Sequence, residues 1–308
     1  MRPELIQATE LLQSNAPKAL EEALGLLQNT VYSFSMKVCG NPQDAEDTTQ
    51  EVLFTSLDYL ARIREPQALA VWLYTVARNR CWRMRRKYAP ASVRSLSLDD
   101  LMPDEAELDR LLQNGADSPE SAVIQAEQHH LLHQAVLRIP PNLRIVLVLH
   151  DMEELTTAQV AQILDLQEGT VRIRLHRARL SVRKEVHRLL DGVSEPSTIA
   201  EASSKKNGRA RAGKRPDDCR ELFSNLSEYL DGRMEPVSCD QARKHIEACP
   251  ACIAFLRDLR AAIDRCKSLQ IPCDPDIAAR LRAMLTQEYT RLMGMQTEKY
   301  DRRRKNRP

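Results

Sequence analysis

Aromatic residues and glycines are scarce in this chain of 308 residues. Phenylalanine, tyrosine and tryptophan make up 4% of it, there are only 9 glycines, and charged residues account for 29%. This composition argues against a sheet-rich enzyme core and favours long, charged helices. We therefore predict an all-α fold. At roughly 100–200 residues per domain, the length allows two or three domains.

The chain also lacks a long apolar run and the common catalytic motifs. Its most apolar stretch, Ala68–Ala77, has about half of the roughly 20 residues that a membrane-spanning helix needs. The first residues do not have the pattern of a secretory signal. There is no glycine-rich phosphate loop, no His-Glu-x-x-His and no nucleophile elbow. We therefore expect a cytoplasmic protein that is not an enzyme and has no membrane partner.

The net charge of +2 conceals blocks of one sign. Residues 78–87 and residues 203–215 each hold six basic residues and no acid, which is typical of nucleic-acid binding. Composition and apolar spacing together predict six segments. They are a helical domain at 1–90, an acidic linker at 91–118 with one short helix, a second helical domain at 119–190, a disordered basic tether at 191–216, a cysteine-rich unit at 217–270, and a final helix with a basic tail at 271–308.

The first domain has the spacing of amphipathic helices. Six apolar residues recur at intervals of three and four, which places them on one helix face: Leu20, Leu24, Leu27, Val31, Phe34 and Val38. Gly40-Asn41-Pro42 ends this helix. We expect a second helix over 43–60. A third helix holds Trp72 and continues through the basic block towards Pro90.

The second domain carries a helix-turn-helix pattern. Thr156 and Gln159 have the spacing of a capping box, and Asp165 and Glu168 repeat that spacing before the next helix. That next helix has an apolar stripe at Val171, Leu175, Ala178 and Val182, and its other faces are basic: Arg172, Arg174, His176, Arg177, Arg179 and Arg183. A basic second helix after a tight turn suits the DNA major groove. The alternative is a solvent-facing basic surface on an ordinary helical bundle.

Three motifs in order resemble the extracytoplasmic-function sigma factors, the smallest members of the main bacterial sigma family. Residues 40–52 form an acidic helix with an Asp-x-x-Gln-Glu core, similar to the region 2 signature. Residues 72–79, followed by Arg85-Arg86, are a second match. Residues 139–179 resemble region 4 and end in its Gly-Thr-Val and Arg-Ala-Arg pattern. The stretch 156–160 departs from the usual region 4 sequence, and Ile173 is apolar where a polar residue is common, so the promoter sequence is left open.

The resemblance implies three sets of functional residues. Asp47, Gln50 and Glu51 would dock on the clamp helices of the largest subunit of core RNA polymerase. Residues 61–70 would capture a flipped base of the −10 promoter element, and Asn79, Arg80 and Arg83 would hold the melted strand. The −35 element of promoter DNA would be read by five residues of the basic helix: Arg172, Ile173, Arg174, His176 and Arg177.

The cysteine-rich unit has the spacing of a metal site. His245 and Cys249 share a helix face, Cys252 follows on the same side, and Cys219 can return as a fourth ligand. Four Cys and His ligands suit one structural, tetrahedral Zn²⁺ per chain, although Cys239 could replace Cys219. The segment resembles the zinc-binding anti-sigma domain. Reduced cysteines without a metal, or a redox disulfide switch, are the alternatives.

Two functions follow from these patterns. The first is an alternative sigma factor that binds core RNA polymerase and directs promoter-specific initiation, while its zinc module contacts the sigma domains and regulates them in cis. The second is a zinc-dependent interaction regulator whose sigma-like part is degenerate. The near-complete region 2 signature favours the first.

The recognition helix yields a direct test. Arg172→Ala and Arg177→Ala should each weaken promoter binding, by about 1–3 kcal/mol for any bidentate base contact that is lost. The affinity should also fall steeply as salt is raised, because phosphate contacts release counterions. Transcription at the wild-type rate by both variants from the cognate promoter would show that the recognition helix is misassigned.

Overall fold

The computed structural model describes residues 1–14, 18–60, 64–88, 97–103, 105–113, 123–192, 217–288 and 291. Within these residues the regular structure is helical and no strand is present, which confirms the all-α prediction. None of the helices in these ranges is both long and apolar enough to cross a membrane. The chain divides into two compact units. The first comprises Met1–Ala89, Gln162–Leu164 and Gln270–Pro308, and the second comprises Pro90–Ala161 and Asp165–Leu269.

Four helices make up the N-terminal part of the first unit: α1 Pro3–Gln13, α2 Ala19–Cys39, α3 Pro42–Leu60 and α4 Pro66–Tyr88. The predicted stripe of α2 forms the core, since Leu24, Leu27, Val31 and Phe34 are fully buried. Gly40 ends α2 with a φ of 78°, a conformation that glycine adopts without steric cost.

The helices of the second unit begin inside the predicted linker. They are α5 Leu98–Leu101, α6 Glu105–Gln113, α7 Val123–Arg138, α8 Pro141–Leu147, α9 Thr157–Leu164 (without its last three residues, which group with the first unit), α10 Glu168–Leu190, α11 Asp217–Leu230, α12 Pro236–Ala248 and α13 Pro250–Ser268. The structure therefore has two short helices in 91–118, where the sequence predicts one. The apolar residues of α5 and α6 explain the difference, because they pack on a partner that is distant in sequence.

The helix-turn-helix forms largely as predicted. The Thr156 amide donates to Gln159 Oε1 at 2.9 Å, and the Gln159 amide donates to Thr156 Oγ1 at 3.2 Å, so the capping box at α9 is complete. The second capping prediction is wrong, because Asp165 lies in the turn with a φ of 54° and α10 is preceded by Gln167. Asp165 tolerates this left-handed conformation better than most residues do.

A π-helical turn, Val148–Met152, continues α8. The Glu153 amide donates to the Val148 carbonyl at 2.9 Å, five residues back. Single π turns often occur at functional positions, since the extra residue redirects the side chains. Here Asp151 is buried within the turn and faces α10.

The final helix, α14 over residues 275–288, belongs to the first unit. The segment before it and its first turn cover α2 and the start of α3, where Cys273, Ile271 and Ile277 pack on Tyr32 and Met36. The Ile271 amide donates to Ser33 Oγ at 3.2 Å, and the Arg280 guanidinium pairs with Glu46. Residues 193–216 of the predicted tether lie outside the described residues, and so does the basic tail.

Candidate nucleic-acid interface and metal centre

The N-terminal half of α10 exposes part of the predicted DNA-reading surface. Ile173 is 59% exposed, and Arg172 is half exposed while it pairs with Glu168 one turn earlier at 3.4 Å. Arg174 and Arg177 are half-buried. His176, the fifth predicted reading residue, is only 7% exposed. One edge of the recognition helix therefore faces solvent while the adjacent face is covered.

Arg179 lies on the covered side of α10 and is almost fully buried. Its guanidinium donates to both carboxylate oxygens of Asp151, at 2.8 and 2.7 Å. It also donates to Asp231, in the turn that follows α11, at 2.8 Å. Burial alone would raise the pKa of Asp151, but hydrogen bonds from Arg179 and His150 outweigh it and lower that pKa to about 2. Arg179 is therefore not available to DNA in this arrangement, although the sequence placed it on a polar helix face.

Arg183, one turn further along, is 1% exposed and lies between acids of two other helices. Its Nε donates to Asp258 Oδ2 of α13 at 2.6 Å, and Glu107 of α6 lies 2.7 Å from Nη2. The guanidinium also stacks on the Phe255 ring, 4.4 Å from its centroid. His187 reaches the same Asp258 oxygen at 2.9 Å. Nothing in the sequence spacing marked Asp231, Asp258 or Phe255 as partners of α10.

The cysteine-rich unit and the linker helices therefore share a core beside the recognition helix. Leu180 of α10 joins one buried cluster with residues from α5, α11, α12 and α13: Leu101, Cys219, Leu222, Phe223, Leu226, Ala242, Ile246, Cys252, Phe255, Leu259 and Ile263. A cavity of 360 Å³ opens beside this cluster. Its lining includes Leu98, Arg172, His176, Ser227 and Asp231.

His176 connects α10 to α11 directly. Its Nδ1 lies 3.0 Å from Ser227 Oγ, and the ring is enclosed by the cavity lining. Burial, followed by the charges of Arg179 and Arg177, lowers the pKa of His176 to about 4. The imidazole is therefore neutral at physiological pH in this arrangement.

In the first unit, the structure brings two sets of predicted residues together. Glu51, predicted to bind polymerase, pairs with Arg80 at 2.7 Å and with Arg83 at 3.0 Å, both predicted to hold DNA. Asp47 and Asn79 are exposed, and Gln50 is half-buried. Residues 61–63 of the predicted base-capturing loop lie outside the described residues.

The predicted metal ligands meet at one point. The ligand atoms of Cys219, His245, Cys249 and Cys252 all lie within 4.8 Å of one another. The Cys219 and Cys252 sulfurs are 3.2 and 3.3 Å from His245 Nε2 and 3.7 Å from each other. A tetrahedral zinc site with Zn–S near 2.3 Å and Zn–N near 2.1 Å has edges of about 3.5–3.8 Å, so this donor set fits Zn²⁺.

The remaining cysteines do not join this group among the residues that are described. Cys239, the alternative ligand, is half-buried outside the cluster, and Cys266 and Cys273 are buried elsewhere. Burial, together with the Cys249 and Cys219 sulfurs, raises the pKa of the Cys252 thiol. A divalent cation would reverse that effect, because thiolates so close together need a positive charge between them.

Comparison with protein families gives three matches along the chain. Residues 25–90 match the family described as Sigma-70 region 2, and residues 129–182 match Sigma-70, region 4. Residues 219–252 match a family described as a putative zinc-finger. The first match includes the candidate polymerase residues and the residues predicted to hold the −10 strand, the second includes the candidate reading residues of α10, and the third includes the four candidate metal ligands.

Individual proteins also match this chain over more than half of its length. The chain is 28% identical over 173 residues to the ECF RNA polymerase sigma factor SigW of Bacillus subtilis, which is 56% of this chain and 90% of that protein. It is 27% identical over 187 residues to the RNA polymerase sigma-H factor of Pseudomonas aeruginosa, 60% of this chain and 94% of that protein. A co-crystal structure of the sigma factor RpoE with the anti-sigma factor NepR from Bartonella quintana aligns with a TM-score of 0.39 at 19% identity, over 56% of this chain and 98% of that one.

Metal analysis tests the cysteine cluster. We expect one zinc per purified chain, lost in Cys219→Ala and in His245→Ala, because either change removes one of the four converging ligands. Cys239→Ala is the matched control and should retain the metal. Zinc retained by Cys219→Ala but lost from Cys239→Ala would show that the ligand set is wrong.

The buried imidazole predicts a pH dependence. With a pKa of about 4 when packed and about 6.5 when exposed, His176 binds a proton more readily once α10 and α11 separate. The packed arrangement therefore loses stability as the pH falls from about 6.5 towards 4, by about 2 kcal/mol at pH 5. Urea unfolding at pH 7 and pH 5 measures this loss.

His176→Gln serves as the control, because glutamine can still bond Ser227 but does not titrate. Other groups around the cavity, including Arg177, Arg233, Glu228 and Asp231, are the same in both proteins. An equal loss of stability in the two proteins at pH 5 would contradict the assignment to His176.

Proposed function

The chain belongs to the extracytoplasmic-function RNA polymerase sigma factors and carries region 2, region 4 and a zinc-finger module on one polypeptide; on that premise we propose which surfaces it uses and how its own module controls them. As a sigma factor, it binds core polymerase and directs initiation at particular promoters. The helix-turn-helix and the region 2 bundle are the parts that this function needs.

Promoter reading is assigned to both sigma regions. In region 4, the solvent-facing edge of α10 with Arg172 and Ile173 would enter the major groove, and Arg174 and Arg177 would reach the backbone or bases beside it. In region 2, Asn79, Arg80 and Arg83 on α4 would hold the melted −10 strand. Arg80 and Arg83 now pair with Glu51, so DNA phosphates would exchange with that carboxylate.

Polymerase docking is assigned to the acidic helix α3. Asp47 is exposed there, and Gln50 and Glu51 lie along the next turn. Charges on such a surface steer association with a basic partner and fix its orientation. The clamp helices of the largest polymerase subunit are the proposed partner.

The zinc module would act in cis on region 4. The observation that carries this proposal is the pairing of two buried arginines of α10 with acids of the module, Arg179 with Asp231 and Arg183 with Asp258. One zinc per chain, bound by Cys219, His245, Cys249 and Cys252, would hold α11, α12 and α13 in the arrangement that presents these acids. Because the module is on the same chain, its effective concentration at region 4 is high.

The part of this chain that matches SigW is about as long as SigW itself. The 173 residues that match SigW account for 90% of that protein, which leaves little room in it for a counterpart of the zinc module. Residues 1–192 should therefore be active without residues 217–308. If the module inhibits, the fragment should be the more active form.

Run-off transcription with purified core enzyme tests the function. The promoter is selected from a random library with the 1–192 fragment, and the fragment should then give more transcript than the full chain. Asp47→Arg in the fragment should lose core binding, measured by pull-down, because the charge reversal opposes a basic partner. Asp240→Arg in the full chain, at an exposed position of α12, is the control and should leave core binding unchanged.

These outcomes separate the two parts of the proposal. No transcript from either form would contradict the sigma function itself. Equal or lower output from the fragment would contradict an inhibitory module.

A further inference from the structure

Ile173 is an apolar side chain that the recognition helix leaves in solvent. It is 59% exposed, and within residues 157–182, all of which the structure describes, no other large apolar side chain is exposed. The apolar stripe of the same helix is buried: Val171, Leu175, Ala178 and Val182. The core of the second unit therefore does not depend on Ile173, and more than half of its surface is available to a partner.

The charges around Ile173 favour one kind of partner. Arg172 is half exposed, and its pair with Glu168 at 3.4 Å joins two exposed side chains, so it is a weak interaction that another acceptor can replace. Arg174 and Arg177 are half-buried on the adjoining faces of the helix. Three cations around one apolar side chain suit a polyanion that also carries apolar groups. A DNA major groove that contains thymine has both.

The first turn of α10 leaves room for the bases beside Ile173. Gly169 lies four residues before Ile173 and therefore on the same helix face. A Cβ at Gly169 would have no heavy atom within 4 Å, so no neighbouring part of the protein occupies that space. Residues near the N-terminus of a recognition helix are the ones that contact base edges. Ile173 is thus placed where a base edge can reach it.

We propose that Ile173 reads a thymine of the −35 element through the C5-methyl group of that base, close to the base that Arg172 contacts. This inference rests on the proposed sigma function and specifies part of the sequence that region 4 selects. Among the four bases, thymine presents a methyl group in the major groove, and apolar side chains contact it. Cytosine presents an N4 amino donor instead, which an apolar side chain would leave without a partner.

The spacing of the helix limits where this thymine lies. Consecutive Cα atoms are about 3.8 Å apart, and bases along one strand are about 3.4 Å apart. The thymine should therefore lie within about two base pairs of the base that Arg172 contacts. The contribution of one buried methyl group corresponds to about fourfold in affinity, so the preference should be measurable without being dominant.

Selections from one random duplex library test the assignment. The full chain with core enzyme selects in one and the Ile173→Ser chain in another, with the corresponding 1–192 fragments in parallel. We expect the wild-type protein to enrich thymine at one position of the −35 element. The variant should lose that preference alone, because serine has too little apolar surface to cover the methyl group, while the preferences that it keeps at other positions show that it is folded.

Leu190→Ser is the matched control. Leu190 is also an exposed apolar side chain of α10, at 60%, but it lies at the last residue of the helix, about 25 Å from Ile173. This variant should select the same sequence as the wild-type protein.

Deoxyuridine at the enriched position isolates the methyl group, since it differs from thymidine only in lacking that group. The substitution should weaken binding of the selected duplex by about fourfold for the wild-type protein and for Leu190→Ser, and should not change it for Ile173→Ser. A C·G pair at the same position should also weaken wild-type binding. 5-Methylcytosine in that pair should recover part of the loss for the wild-type protein but not for Ile173→Ser.

The inference would be overturned by a selected −35 element in which no thymine preference depends on Ile173, or by an equal effect of deoxyuridine on the wild-type protein and on Ile173→Ser. Weaker binding of core enzyme by Ile173→Ser would also overturn it, because Ile173 would then contact protein. Failure of the full chain and of the fragment to enrich any sequence would instead count against the proposed sigma function, so the two failures can be told apart.

Discussion

Two buried arginines of the recognition helix hold the second unit together. Arg179 and Arg183 are each removed from water and each neutralised by acids from different parts of the chain, Asp151 and Asp231 in one case, Asp258 and Glu107 in the other. Breaking a buried pair by loss of one partner costs about 3–5 kcal/mol, because the remaining charge stays unpaired. The position of the π turn, of the zinc module and of α6 all depend on satisfying these two cations.

The zinc site and the shared apolar core also stabilise the packing of the zinc module against α10. Helices α11 to α13 form too small a unit to bury much apolar surface by themselves, and a bound metal would add the missing stability. Leu180 of region 4 and Leu101 of the linker complete their core. The module is therefore a structural neighbour of region 4 in the isolated chain, and any event that weakens its fold also loosens its hold on α10 and α6.

Motifs that depend on nearby residues were predicted well. The stripe of α2, the stop at Gly40 and the capping box of Thr156 and Gln159 all form, because their contacts lie within one or two helical turns. The four metal ligands also converge, but not on one helix face as predicted, because His245 lies in the last turn of α12, Cys249 is an extended residue between two helices and Cys252 lies in the first turn of α13. Asp165 was misassigned as a cap because the capping pattern alone does not show that the turn needs a residue of positive φ there.

The sequence by itself determined the helical class, the order of the sigma regions and the chemistry of the cysteine cluster, all of which follow from local periodicity, capping and ligand type. Tertiary structure alone decided which arginines of α10 face solvent and which are buried, and that the acidic linker folds onto the module. The reason is physical: the sequence does not distinguish an arginine that faces water or DNA from one that pairs with a carboxylate. Asp231 is 52 residues from Arg179 and Asp258 is 75 residues from Arg183, so only the packed chain brings these partners together.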